Sequence, residues 1–345
     1  MSSRPVWLGK DVIGGVPSQP RPDREAPPHW RLDAVFATNR PHHLAASPDG
    51  STLAFVLDYE GTSDIWSIDV SDGAAMTRLT TDRSLVAHWE DSAPVWSPDG
   101  TMLAYNNEGH VQLVAARGGA PRRLTAGSAG AWLDDGRLVV TVERDRRTRL
   151  AVVSVDDPWP VPLGPKNGSV GRPRVADSGR LVAAHWPRND LSRSDIVVVE
   201  PDGSWTTLVG HPERRAANHT IRGDRVAYTL DDGDWAGVFL TDIEGGDHTK
   251  LAGVPGDFSD LLWDSEGLFA LCTSKGRSDL VRIGLDGAVE TLAEGGTWSY
   301  PVTTARGTMA THESATSPPA IMAIRPGDAP VRVYEGAPAS IRTAP

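Results

Sequence analysis

Ala93-Pro94-Val95-Trp96-Ser97-Pro98-Asp99-Gly100-Thr101-Met102-Leu103-Ala104-Tyr105 sets two short apolar runs on either side of a Ser-Pro-Asp-Gly turn. Pro98 presets φ, Asp99 can accept bonds from nearby backbone N–H groups, and Gly100 can take the positive φ of a tight hairpin. The same turn stands at Ser47-Pro48-Asp49-Gly50. Weaker copies follow at Asp134-Asp135-Gly136, Asp177-Ser178-Gly179, Arg222-Gly223-Asp224, Asp264-Ser265-Glu266-Gly267 and Ala305-Arg306-Gly307, so the chain reads as seven units. From Gly50 to Gly100 is fifty residues, and the later glycines follow at intervals of 36, 43, 44, 44 and 40. A period of roughly 40 to 45 residues suits one four-stranded propeller blade.

Within the second unit the turn is followed by Val111-Gln112-Leu113-Val114-Ala115, a Gly118-Gly119 turn and Pro121-Arg122-Arg123-Leu124-Thr125. Four short strands per unit predict an all-β fold, a seven-bladed β-propeller of four-stranded antiparallel blades. The expected boundaries are an extended lead-in over 1–40, the propeller over 41–338 and a tail over 339–345. The lead-in holds Pro5, Pro17, Pro20, Pro22, Pro27 and Pro28 and shows no periodicity.

The 345 residues carry a formal net charge of −11 with a pI near 5.4. That charge argues against a nucleic-acid surface, which needs basic patches to displace counterions. No run approaches a membrane span and no apolar leader follows Met1, so a cytoplasmic protein is expected. Cys272 has no partner for an internal disulfide and reads as a small buried apolar residue.

Strand alternation places the Asp-Gly turns on one rim and the longer connections, such as Asp58–Ser63, Arg144–Arg149 and Pro187–Ser194, on the other. Short repeated turns build, while long irregular loops more often bind. Residues entering the first strand of each unit are expected to ring the channel mouth on the long-loop rim. By alignment these include His43, Asp91, Arg172, His219, Asp260 and Tyr300. Such a mixed-charge mouth suits a peptide or partner loop, although solvated channel residues give the same pattern. Arg144, Arg146, Arg147 and Arg149 form a second candidate, a basic rim patch for an acidic partner, with a solvated hairpin tip as the alternative. Trp96, Trp132 and Trp263 recur just before the turn, which implies packing between blades.

Catalytic motifs are lacking. No serine has glycine at both −2 and +2, and His-Glu-x-x-His, Cys-x-x-Cys and phosphate-loop patterns are missing. Adjacent His42 and His43 would face opposite sides of a strand and chelate poorly. No cofactor is expected; a channel metal held by Asp91, Asp260, His43 and His219 would make a lactonase-like hydrolase only by assumption.

Arg78-Leu79-Thr80 leading to Val95–Tyr105, with Arg123-Leu124-Thr125 opening the next copy, resembles the repeat of TolB-type propellers and of the N-terminal propeller of prolyl oligopeptidase (S9) serine peptidases. Asp64-Ile65-Trp66-Ser67-Ile68-Asp69 and Ser314-Ala315-Thr316-Ser317-Pro318-Pro319-Ala320-Ile321 resemble the first and last blades of acylaminoacyl-peptidase-like members. The resemblance spans roughly residues 40 to 337. It implies a non-catalytic, substrate-gating domain whose long-loop rim packs on an α/β-hydrolase domain not contained in these 345 residues. None of the family's triad residues can be placed here. The alternative is a stand-alone TolB-like scaffold that binds a protein or peptide.

Overall fold

The computed structural model describes residues 38–59, 61–71, 75–81, 93–188, 190, 192–231, 233–253, 256–265 and 267–336. Candidate Asp91, the lead-in up to position 37 and the expected tail lie outside the described residues. Among those described, all regular structure is β, in twenty-eight strands.

Each unit folds its four consecutive strands into an antiparallel sheet. In the first unit these are Arg40–Ala46, Thr52–Tyr59, Thr62–Asp69 and Met76–Arg78. Five sheets are separate, and the last two units share one eight-stranded sheet through a single parallel bridge between Ser278 and Thr297.

The two Ser-Pro-Asp-Gly turns have the same internal chemistry. The Gly50 N–H donates to Ser47 O at 2.8 Å, and Gly100 N–H to Ser97 O at 2.9 Å. Asp49 Oδ1 accepts from the Ser47 hydroxyl at 2.6 Å and from Ser51 N–H at 3.0 Å, and Asp99 repeats this with Ser97 and Thr101. These bonds, that of Ser47 first, hold the Asp49 carboxyl down to about 2.

The units bury their faces against one another, so each apolar cluster is shared by neighbours. Ile65 and Leu79 of the first unit pack with Leu103 and Tyr105 of the second. Val152 and Leu150 of the third pack with Leu181 and Val197 of the fourth. Leu44 and Phe55 of the first pack with Met309 and Ile321 of the last. Fully burying such a side chain contributes about 1.5–3 kcal/mol. The recurrent tryptophans stitch these interfaces: Trp96 Nε1–H donates to Ala45 O, and Trp132 Nε1–H to Val95 O, both at 3.0 Å. Trp263 departs from this pattern, lying half-buried with the Arg225 guanidinium 5.7 Å from its ring centre.

The first strands of successive units lie side by side in chain order, and Thr297–Thr304 of the last unit lies against Arg40–Ala46 of the first. At this seam Asn39 N–H donates to Gly336 O at 2.6 Å and Ala305 N–H to Gly50 O at 3.0 Å. Arg40 Nη2 meets Glu313 Oε1 at 2.8 Å. Every sheet is made of strands consecutive in sequence, so among the described residues the seam joins complete sheets without exchange of a strand.

Candidate functional site

In five of the first strands the pairing register slips, and a non-glycine residue with positive φ sits in the slip. These are His43 (φ +50°), Arg172 (+54°), Asn218 (+47°), Asp260 (+47°) and Tyr300 (+53°). Such a conformation costs about 1–3 kcal/mol per residue and concentrates at ligand clamps and active sites. A bulge also re-aims the side chain it carries. Each of the five is four residues before the one that closes its hairpin: Ser47, Ala176, Arg222, Asp264 and Thr304. Equivalent positions on strands that neighbour one another in order make a ring.

The ring members sense each other. The His43 and Tyr300 rings lie 4.5 Å apart between centres. Burial raises the pKa of the Tyr300 hydroxyl, with Asp260, Glu313 and Asp58 adding to the shift and Arg40 opposing it. Asp260 is open to solvent, yet the surrounding protein wall desolvates its carboxyl and raises its pKa; the Ser259 hydroxyl, Arg172 and Arg174 pull the other way. Arg172, half-buried, is lowered by desolvation first and then by Arg215 and Arg174, against the pull of Asp260.

Two expectations about histidines change. His42 and His43 do not face opposite sides, because the positive φ at His43 turns the strand and brings the two Nδ1 atoms into contact. His42 Nε2 also lies 3.0 Å from Asp58 Oδ1, which accepts from the Ser63 hydroxyl at 2.5 Å. A tautomer that donates Nε2–H to Asp58 leaves His42 Nδ1 as an acceptor for His43 Nδ1–H. His219 is not on the ring; Asn218 takes the bulge, donating through Nδ2 to Thr229 Oγ1 and Phe258 O. His219 is buried, and its Nε2–H donates to Arg172 O at 2.9 Å and Val182 O at 3.1 Å. Desolvation first, then Arg174, lowers its pKa to about 3, so the ring is neutral.

The turn glycine is a poor guide in this unit, because Gly223 lies one residue past the hairpin-closing Arg222, whereas Gly50, Gly179, Gly267 and Gly307 lie three residues past Ser47, Ala176, Asp264 and Thr304. Counting back from the hairpin-closing residue recovers Asn218. Arg215 was missed as well, since it precedes a neighbouring first strand and only the tertiary structure relates it to Arg172; Arg174, two residues along the same strand as Arg172, was legible.

Of the rim arginines, Arg144, Arg146 and Arg147 are exposed around a turn in which Asp145 and Arg146 both take positive φ. Arg149 is half-buried and donates to Gly168 O, so the four do not form one surface. Among the described residues no three His, Cys, Asp or Glu side chains are grouped to hold a metal ion, and Cys272 is half-buried.

No protein-family model and no curated protein sequence matches the chain. Solved structures do. A puromycin-hydrolyzing peptidase from Mycobacterium tuberculosis superposes with a TM-score of 0.71 at 13% identity, over 84% of this chain and 51% of that one. The fold is that of S9 peptidase propeller domains. The β-propeller domain of the Trilobed protease from Pyrococcus furiosus matches with a TM-score of 0.64 at 14% identity, over 87% of this chain and 96% of that one. An oligogalacturonate lyase, solved in complex with manganese, matches with a TM-score of 0.67 at 16% identity, over 88% and 91%. The chain thus spans about half the length of the puromycin-hydrolyzing peptidase and nearly all of the isolated propeller domain.

Proposed function

We propose that this chain is a closed seven-bladed propeller that acts as the non-catalytic gate of an S9-type serine peptidase. The rim opposite its Asp-Gly turns, where Tyr59 pairs with Thr62 and Arg144 with Arg147 across tight two-residue hairpins and not the long loops expected, packs on an α/β-hydrolase domain, and short peptides reach that domain through or beside the channel. The observation that carries this reading is the match to just over half of a peptidase chain together with nearly all of a protease's excised propeller domain. The ring of strained, mixed-charge bulge residues supplies polar contacts for a passing peptide. The oligogalacturonate lyase supports a second reading, a self-sufficient propeller with its own channel ligand, because that protein is matched over 91% of its length.

Reading the native gene past Pro345, combined with affinity capture of the tagged chain from its own host, tests the first reading. A hydrolase domain joined in cis or recovered in trans is expected. Recovery of neither removes the peptidase assignment in favour of the second reading.

A further inference from the structure

We propose that the cavity beside Trp159, between the third and fourth units, docks a basic, partly apolar segment of a partner protein, taking a lysine or arginine side chain between the Trp159 ring and a set of carboxylates.

Trp159 is the most exposed large apolar side chain among the described residues, at 78%, and Val161, two residues on, is 60% exposed. A tryptophan left in water adds nothing to the core, whereas tryptophans are the commonest anchors of protein interfaces. The segment that carries it is held in place. Pro158 and Pro160 restrict the backbone on either side of the ring. Ser154 N–H donates to Asp157 O at 3.1 Å, and the Arg122 guanidinium of the second unit donates to Val155 O at 3.2 Å. An aromatic anchor fixed beforehand loses little entropy on binding.

The Trp159 side chain lines a cavity of about 480 Å³. Its floor is the edge of the apolar cluster shared by the third and fourth units, with Val152 and Leu181 buried and Leu133 and Leu163 half-buried. Its border includes the turn from Leu133 to Arg137, the turn at Gly179 and the start of the turn at Glu200 and Pro201. These turns belong to the Asp-Gly rim, so the inference does not depend on what covers the opposite rim.

Charge decides the occupant. Asp134, Asp135, Asp157 and Glu200 line this cavity against a single guanidinium, that of Arg137. Arg137 is committed to Asp135, with Nη2 2.6 Å from Oδ2, which leaves no cation for an anionic ligand. Asp157 Oδ1 accepts from Trp159 N–H at 3.4 Å, so one carboxylate stands next to the tryptophan backbone. Trp159 also borders a second cavity, of about 830 Å³, whose lining includes Glu108 and Glu143 and no lysine or arginine. The two cavities together hold six carboxylates to one guanidinium, where the whole chain has 45 to 34. A cation over the face of tryptophan is attracted by the ring, and the methylene stem of lysine or arginine covers apolar surface while its head stays with the carboxylates.

The test is calorimetric titration of the intact chain with three probes: Ac-Leu-Arg-Leu-Arg-Leu-amide, the same peptide with both arginines replaced by citrulline, and the same peptide with both replaced by glutamate. The arginine peptide is expected to bind at least about tenfold more tightly than its uncharged citrulline counterpart. That advantage should vanish in Trp159→Ala and shrink at least about twofold in Asp134→Asn. Both side chains are exposed, so both variants should fold, which unchanged thermal melts verify. An advantage that survives in Trp159→Ala is unspecific attraction to an acidic chain and overturns the proposal. Equal binding of the arginine and citrulline peptides, tighter binding of the glutamate peptide, or no saturable binding overturns it too. So does a dimer in sedimentation equilibrium that dissociates in Trp159→Ala, which assigns this face to a second copy of the chain. Each of these outcomes leaves the peptidase-gate reading to the capture experiment.

Discussion

Gly50 and Ala305 stand at opposite ends of the described chain and share a backbone hydrogen bond of 3.0 Å. A Cβ on Gly50 would lie 2.5 Å from Ala305 N. Gly100 has the same φ of +69° in the same turn, yet a Cβ there would meet only Pro48 Cδ at 3.8 Å. The two glycines have identical conformational needs, and only Gly50 sits at the seam.

Gly100→Ala should therefore cost about 1–2 kcal/mol, the price of a left-handed alanine. Gly50→Ala should cost at least about 1 kcal/mol more, because backbone must also move. Denaturant midpoints of the two variants check this. Equal losses would mean that the contact between first and last units adds nothing to stability.

The Asp64 carboxylate is fully buried, and Arg78 Nη2 reaches its Oδ2 at 2.6 Å. The Thr80 hydroxyl donates to Oδ1 and the Tyr59 hydroxyl to Oδ2, both at 2.8 Å. Removing the cation leaves a buried charge without compensation, so Arg78→Ala should destabilise by about 3 kcal/mol. Adding Asp64→Asn to that variant should recover at least about 1 kcal/mol, since the neutral amide is cheaper to bury. Chemical denaturation of the singles and the double closes the cycle.

Trp132 and Trp263 occupy matching places with different bonds. Trp132→Phe loses the 3.0 Å bond to Val95 O along with buried volume, and should cost about 2 kcal/mol. Trp263→Phe exchanges one half-buried aromatic ring beside the Arg225 guanidinium for another, and a loss under about 1 kcal/mol is expected. Thermal melts of the pair report the difference.

His219 is neutral in the native state, with its pKa lowered from 6.5 to about 3. The unfolded chain takes up the proton first, so native stability falls as pH drops through the window from 6.5 to 3. The slope from this group is about 1.4 kcal/mol per pH unit. Between pH 6.5 and 5 the parent should lose about 2 kcal/mol more than His219→Gln. Unfolding curves at the two pH values measure it, and parallel losses would show that His219 does not titrate on unfolding.

The repeat was legible because hairpin turns are local. The Ser-Pro-Asp-Gly bonds close within six residues, from Ser47 to Thr52 and from Ser97 to Met102, and so leave a fixed signature. Trp96 and Trp132 were readable for a related reason, since each meets the equivalent carbonyl of the preceding unit, Ala45 O and Val95 O. The candidate ring was legible only in part. His43, Arg172, Asp260 and Tyr300 were placed by alignment, while in the fifth unit, where Gly223 directly follows the hairpin-closing Arg222, the alignment fell on His219 instead of Asn218.

The sequence by itself determined the all-β character, the repeat and the turns, because propensity and alternation act over a few residues. Only the tertiary structure decided which side chains meet. The tie from His219 to Arg172 and the meeting of the His43 and Tyr300 rings both depend on strands from different units lying side by side. Their interactions act through space, and no local pattern in the chain records them.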